Sequence, residues 1–326
     1  MALTAQQLEQ RRSLITASDI PAILGICPWG SPSSVFATKV LGKESDEQTY
    51  RMEKGHAVEP LLISWAGRKR ESKTVHNTET FAGMLPAFPW AGATPDGFEM
   101  RLGKRAAALD AKIVGRWVAS KWFDDLGEKQ VPDYVHCQVQ WQMSVMRLPT
   151  AIVVADFDER EPEVFEIAHD DELAGCIFEE ANRFWVDHIV KQVPPPVDGS
   201  RDSVELVKRL FPSEKHNSFI QASPGMEEIA RALVDAKMRL AQAEAEIEAA
   251  ENNIKAKIGL ASGMEGFGWR ATWTTERGHV SYKDALKELC PNISPDDLEQ
   301  FRGNRIRKFR FKAQTKSSTK KVRLEQ

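Results

Sequence analysis

The chain is poor in cysteine and tyrosine, with four and three of them among 326 residues. Cys27, Cys137, Cys176 and Cys290 stand far from one another, so no pair has the close spacing of a zinc site, and they read as buried thiols of a reducing compartment. No apolar run approaches the roughly 20 residues of a membrane span. The first twenty residues carry Gln, Glu and Arg instead of an apolar core, so no secretory signal is expected. A cytoplasmic chain without membrane association follows from these absences. There is no Gly-x-x-x-x-Gly-Lys-[Ser/Thr] loop, so no nucleotide-driven motor is expected. Neither charge sign is in large excess: 44 Lys and Arg stand against 47 Asp and Glu, a formal net charge of -3. The distribution is less even. Basic residues dominate from Arg302 to Arg323, the pattern of a polyanion-binding segment or of a solvated tail.

What is present is a core-forming chain, 42% hydrophobic and 28% charged, long enough for two domains. Its strongest break is Val193-Pro194-Pro195-Pro196-Val197-Asp198-Gly199-Ser200, which cannot continue a helix. The expected organisation is therefore a domain over 1–193, a linker over 194–225 and a C-terminal region over 226–326. In the first domain Ser18 reads as the cap of a short helix ending at Gly25, and Ser31-Pro32 opens another. Residues 47–69 predict a longer helix, 75–98 short strands with turns, and 106–114 a strand. Residues 132–146 predict a helix, 151–157 and 164–168 two strands, and 170–190 a closing helix. The sum is a mixed α/β sheet flanked by helices.

The C-terminal region has another texture. Ile229, Leu233, Ala236, Leu240, Ala243, Ile247, Ala250 and Ile254 follow each other by four and three, a heptad seam. It predicts a long helix over 226–258, packed on one other helix of this chain or of a partner. Trp269, Ala271 and Trp273 alternate with polar residues as in a half-buried strand, residues 294–297 open a short helix, and 305–312 read as a final strand. This adds a small α+β extension.

The chemistry is concentrated in Thr94-Pro95-Asp96-Gly97 followed by Asp110-Ala111-Lys112. The first is a turn signal and the second a strand fragment, each commonplace alone. The period of two places Asp110 and Lys112 on one face of their strand, and the turn can bring Asp96 to the same edge. Two carboxylates hold hard cations through oxygen, and such a metal polarises a phosphoryl oxygen and acidifies bound water. A lysine beside them can orient or deprotonate that water, or offset charge building on phosphate. Glu59, one helical turn from His56, is a third acid, either a surface residue or a member of the site. Nine tryptophans are present; most read as core, and Trp29, between Pro28 and Gly30, is the best candidate for base stacking.

Five motifs then occur in order: residues 11–20 (Arg-Arg-Ser-Leu-Ile-Thr-Ala-Ser-Asp-Ile), Gly55-His56-Ala57-Val58-Glu59, Thr94-Pro95-Asp96-Gly97, Asp110-Ala111-Lys112, and Tyr134-Val135-His136-Cys137-Gln138-Val139-Gln140. In these the chain resembles the YqaJ-type viral recombinases, the phage lambda exonuclease family of the PD-(D/E)xK nuclease superfamily, over roughly residues 8–190. The resemblance implies a restriction-endonuclease-like core. It implies that Asp96, Asp110, the Ala111 carbonyl and Glu59 are metal ligands, with Lys112 beside the attacking water and Gln138 on a helix near the site. It also assigns Arg11 or Arg12, with Ser18, to a 5′ phosphate, and places Tyr134 one turn before Gln138. The family more often carries Glu where this chain has Asp110, and the region beyond about Pro194 has no counterpart in its shorter members.

What the resemblance implies for function is a magnesium-dependent 5′→3′ exonuclease on linear double-stranded DNA, with manganese able to substitute. Such an enzyme leaves a 3′ single strand for an annealing protein, works as a homotrimer, and belongs in a bacterial or phage-infected cell. The alternatives are an endonuclease or structure-specific nuclease on the same fold, and a non-catalytic DNA-binding scaffold in which the heptad helix is the working part.

Overall fold

A computed structural model describes residues 12–42, 50–116, 118–157, 161–216, 218–279, 281–290, 292–294, 296–301 and 303. Arg11, the basic tail and the strand expected over 305–312 lie outside the described residues. The chain divides into two compact units, Met1–Phe211 and Pro212–Gln326.

The first unit is built on a five-stranded mixed sheet in the order β1 (Lys73–His76), β4 (Gly97–Arg101), β5 (Lys104–Ile113), β6 (Thr150–Asp156) and β7 (Glu163–Ala168). β5 and β6 run parallel and the other neighbours antiparallel. A small ribbon of β2 (Phe81–Ala82) and β3 (Gly92–Ala93) lies between β1 and β4 in sequence. The β4–β5 hairpin turns on Leu102 and Gly103, both at positive φ (50° and 79°). That two-residue geometry follows the twist of the strands and is easy for glycine but strained for Leu102.

Helices cover both faces. On one, α3 (Tyr50–Lys69) lays Leu62, Ile63 and Ala66 on Ala107, Leu109, Ile152 and Val154. On the other, Ala108, Ala151, Val153 and Ala155 join a larger core with α1 (Ile20–Ile23), α2 (Pro32–Lys39), α4 (Asp133–Met146) and α5 (Asp171–Phe184). The strict alternation along β5 sorts Leu109 and Ala111 to the α3 side. Asp110 and Lys112 have the opposite parity. Trp141 on α4 is fully buried, donates to the Gly92 carbonyl (2.8 Å) and stacks on Phe178 of α5 at 4.2 Å. These bonds fix the helix that faces Asp110.

Several expectations are corrected. The cap of α1 is Asp19, not Ser18. Its carboxylate points backward, accepting from the Thr16 backbone N–H (2.7 Å) and hydroxyl (2.8 Å) and pairing with the Lys39 ammonium at 2.7 Å. The helix over 170–190 is α-helical only to Phe184 and widens into a π-helical turn at Trp185–Val190. The first unit does not stop before the three prolines. It continues through α6 (Arg201–Leu210), which is capped by Ser200 and buries Leu206 completely. Ser203 and Ser33 share a 2.9 Å hydrogen bond, and Ser31 donates to Asp202 at 3.1 Å, so the expected linker is half structure. Of the four free thiols only Cys137 is buried; Cys176 and Cys290 are exposed.

The second unit contains α7 (Pro224–Ile258), a hairpin of β8 (Gly263–Gly266) and β9 (Trp269–Thr272), α8 (Tyr282–Leu289) and a 3-10 turn at Asp296–Phe301. Trp273 falls just beyond β9.

Candidate active site

β5 supplies the centre. Asp110 is almost fully buried among the strands, at 1% exposure. Its Oδ1 accepts two hydrogen bonds from one face of α4, from Gln138 Nε2 at 3.0 Å and Gln142 Nε2 at 3.1 Å. Its Oδ2 faces the Lys112 ammonium. The two glutamines are four residues apart, so one helical face presents both amides.

Asp96 enters from the neighbouring strand. It precedes β4, and its Oδ2 accepts the Ala111 backbone N–H at 2.8 Å. The Pro-Asp-Gly motif is more than a turn here. Gly97 pairs with His76 of β1, and a Cβ on it would lie 2.7 Å from the Val75 carbonyl oxygen and 3.0 Å from Ile63. Only a residue without a side chain lets β4 close against β1 at that point, and this closeness sets where Asp96 stands.

Glu59 comes from α3, on the opposite face, with His56 Nδ1 at 3.2 Å from its Oε1. Pro60 follows it inside the helix and cannot donate to the His56 carbonyl. The negative charge of Glu59 reaches both Asp96 and Lys112. Burial, then the charge of Asp110, pushes the Asp96 carboxyl up to about 8; Glu59 adds to the rise, and Lys112 and the Ala111 N–H oppose it. For Lys112 burial alone would lower the pKa, but Asp110, Asp96 and Glu59 together raise it above the usual lysine value.

Three carboxylates against one ammonium leave excess negative charge in a buried place. Among the described residues no three His, Cys, Asp or Glu side chains form a closed metal cage. The donor set nevertheless fits a hard divalent cation that keeps most of its water. Magnesium is commonly held by one or two carboxylates, the rest of its shell being water and phosphate oxygen. Asp96 and Asp110 are such a pair, and a cation would offset the burial and the repulsion that raise Asp96.

The sequence expectations thus meet at Asp96, Asp110, Ala111, Lys112, Glu59 and Gln138. Gln142 was missed; its helical spacing from Gln138 was the available signal. Of the described residues expected at a DNA end, Arg12 and Ser18 precede α1, Trp29 lies in the loop between α1 and α2, and Tyr134 is on α4. Arg12 donates to the Gly42 carbonyl at 3.2 Å, and Ser18 shares a 3.1 Å hydrogen bond with Thr16. Trp29, 62% exposed, packs edge-on against Tyr134 with ring centroids 5.4 Å apart. That contact puts an exposed indole at the Gln138 end of α4.

A second arrangement invites a different chemistry and does not support it. Ser144, His169 and Asp171 stand in line, with Ser144 Oγ 2.8 Å from His169 Nε2 and His169 Nδ1 3.2 Å from Asp171 Oδ1. They lie in an apolar groove of about 860 Å³ that contains none of the acids above. The serine hydroxyl donates its proton to the Gln140 carbonyl at 2.8 Å. That bond turns the hydroxyl proton away from His169, and Asp171 is fully exposed, a poor anchor for the ring.

Comparison with known proteins finds the model of the YqaJ-like viral recombinase domain matching residues 6–150. The uncharacterised protein YqaJ of Bacillus subtilis (strain 168) is 24% identical over 293 residues, covering 88% of each chain. An alkaline exonuclease from Laribacter hongkongensis, solved in complex with dAMP, is similar in structure at a TM-score of 0.47 and 16% identity, over 64% of this chain and 97% of that one. A phage-related exonuclease from Haemophilus somnus 129PT is similar at a TM-score of 0.43 and 15% identity, over 55% and 96%.

Proposed function

We propose that this chain, whose residues 6–150 match the model of the YqaJ-like viral recombinase domain, is a deoxyribonuclease that digests linear duplex DNA from its 5′ ends with the help of magnesium or manganese. The observation that carries the reading is the meeting of Asp96, Asp110, Lys112 and Glu59 at β5. It rests also on the likeness of residues 6–150 to the YqaJ-like viral recombinase domain.

Asp96 and Asp110 would hold the cation, with the Ala111 carbonyl and Glu59 completing its surroundings directly or through water. Bound there, the cation supplies Lewis-acid polarisation of the scissile phosphate and a more acidic water. The protein's own groups do the positioning. Gln138 and Gln142 fix the Asp110 carboxylate by its Oδ1, so that its other oxygen is presented on the Lys112 side. Lys112 donates to the attacking water or to a phosphate oxygen and offsets the charge that develops on it. Arg11 or Arg12 with Ser18 would grip a 5′ phosphate, a task suited to a guanidinium and a hydroxyl. Trp29, braced by Tyr134, would stack on a terminal base. A homotrimer enclosing the duplex, and an annealing protein that receives the 3′ strand, complete the proposal.

One assay tests it. The protein is given a 5′-phosphorylated linear duplex, the same duplex without the phosphate, and a closed circle, each with magnesium. The first should disappear fastest, the second more slowly and the third not at all. Cutting of the circle would establish an endonuclease instead, and binding without any loss would establish a scaffold.

A further inference from the structure

Helix α7 carries an apolar seam exposed over most of its length, with Leu233 and Ile254 half-buried. Ile229, Leu240 and Ile247 are 60%, 59% and 60% exposed, and Ala236, Ala243 and Ala250 are exposed beside them. Among the described residues the second unit offers no helix to match this one, since α8 has only eight residues. We propose that the seam pairs with the α7 of a second copy of this chain, antiparallel and overlapping along its whole length.

The sizes of the seam residues choose the orientation. The seam is two lines. One holds Leu233, Leu240, Ile247 and Ile254, and the other holds Ile229, Ala236, Ala243 and Ala250. In a parallel pair like positions meet, so layers of two large residues alternate with layers of two alanines. Such a seam bulges at one layer and leaves a void at the next. In an antiparallel pair each line meets the other, and large faces small. Leu240 then lies on Ala243 of the second copy, Leu233 on Ala250, and Ile247 on Ala236; Ile254 meets Ile229 at the ends.

The same pairing sets the register. It is centred between Ala241 and Gln242, and Pro224–Ile258 is itself centred on Ala241, so the two helices overlap from end to end. Charge agrees independently. In this register Arg239 flanks the seam opposite Glu246 of the second copy, and Lys237 opposite Glu244, each twice by symmetry. A parallel pair keeps Arg239 opposite Glu244 but sets Glu246 against Glu251. The complementarity is to the seam's own reverse, which is why a second copy, not another protein, is the occupant.

The test is sedimentation of the full-length chain across a concentration series. The wild type should show a twofold step in mass, whatever assembly the first unit forms. Glu246→Arg sets arginine against Arg239 in the antiparallel pair and should weaken this step about tenfold, two attractions having become two repulsions. The double exchange Arg239→Glu with Glu246→Arg should restore it. These positions are exposed, so the variants test pairing and not folding. A Glu246→Arg variant that associates more tightly would mean parallel pairing and overturn the proposal. So would a wild type with no twofold step, or a double exchange that fails to recover it.

Discussion

Gln142 on α4 donates a 3.1 Å hydrogen bond to Asp110 on β5, and both side chains are 1% exposed. A buried amide aimed at a buried carboxylate orients the acid while adding no charge. The bond fixes which oxygen Asp110 presents to Lys112.

Replacing Gln142 with Met keeps the volume and removes the donor. Asp110 retains Gln138, so the fold should survive with a loss of about 1–3 kcal/mol in denaturant unfolding. If orientation is the role, nuclease kcat should fall while KM for duplex ends stays nearly constant, and Gln142→Glu should not rescue it. Unchanged kcat would reduce Gln142 to a packing residue.

Lys112→Ala should lower hydrolysis by roughly 10²–10⁴, the usual worth of one positioned proton donor or charge. Binding of duplex ends, followed by fluorescence anisotropy with calcium in place of magnesium, should persist. Full activity in that variant would show that the lysine has been given the wrong role.

Gly97→Ala should destabilise the first unit by about 1–3 kcal/mol, because its Cβ meets the Val75 carbonyl and Ile63. Gly55→Ala is the control. It lies in α3 with nothing within 4 Å of an added Cβ, and should stabilise by up to about 1 kcal/mol. Thermal unfolding compares the two, and equal effects would contradict the close approach of β4 to β1.

The raised Asp96 carboxyl gives a pH dependence with a definite sign. Its pKa is about 8 in the folded chain and near the ordinary 3.8 when unfolded, so the folded form holds a proton that the unfolded form releases. That contribution to stability is complete below pH 4 and is lost as pH rises through 8. With a chelator present, Tm should therefore fall between pH 6 and pH 9, and Asp96→Asn should flatten the fall. A cation competes with the same proton, so the rise in Tm on adding magnesium should be larger at pH 9 than at pH 6.

Much of this molecule is local in origin and was readable from one dimension. The period of two along residues 104–113 sorts Asp110 and Lys112 from Leu109 and Ala111 without any knowledge of the neighbours. The breaks at proline and glycine bound the strands, and the 3–4 spacing of 229–254 defines a helix with one apolar side. The assignments that failed were those in which a distant segment decides. Ser18 yielded the cap of α1 to Asp19, whose carboxylate is held by Thr16 and Lys39. Residues 201–210 joined the first unit because Ser33 and Ser31 were there to receive Ser203 and Asp202.

The acids and the lysine are thus written in the order of the chain, but their meeting is not. Side-chain identity and strand parity are properties of neighbours in sequence. Asp96 reaches the Ala111 N–H only because Gly97 permits β4 to close on β1, and Gln142 reaches Asp110 only because Trp141 anchors α4 to Gly92 and Phe178. Those distances depend on how sheet and helices pack across the core, where burial raises the energy of unpaired charge and so makes the site reactive toward cations.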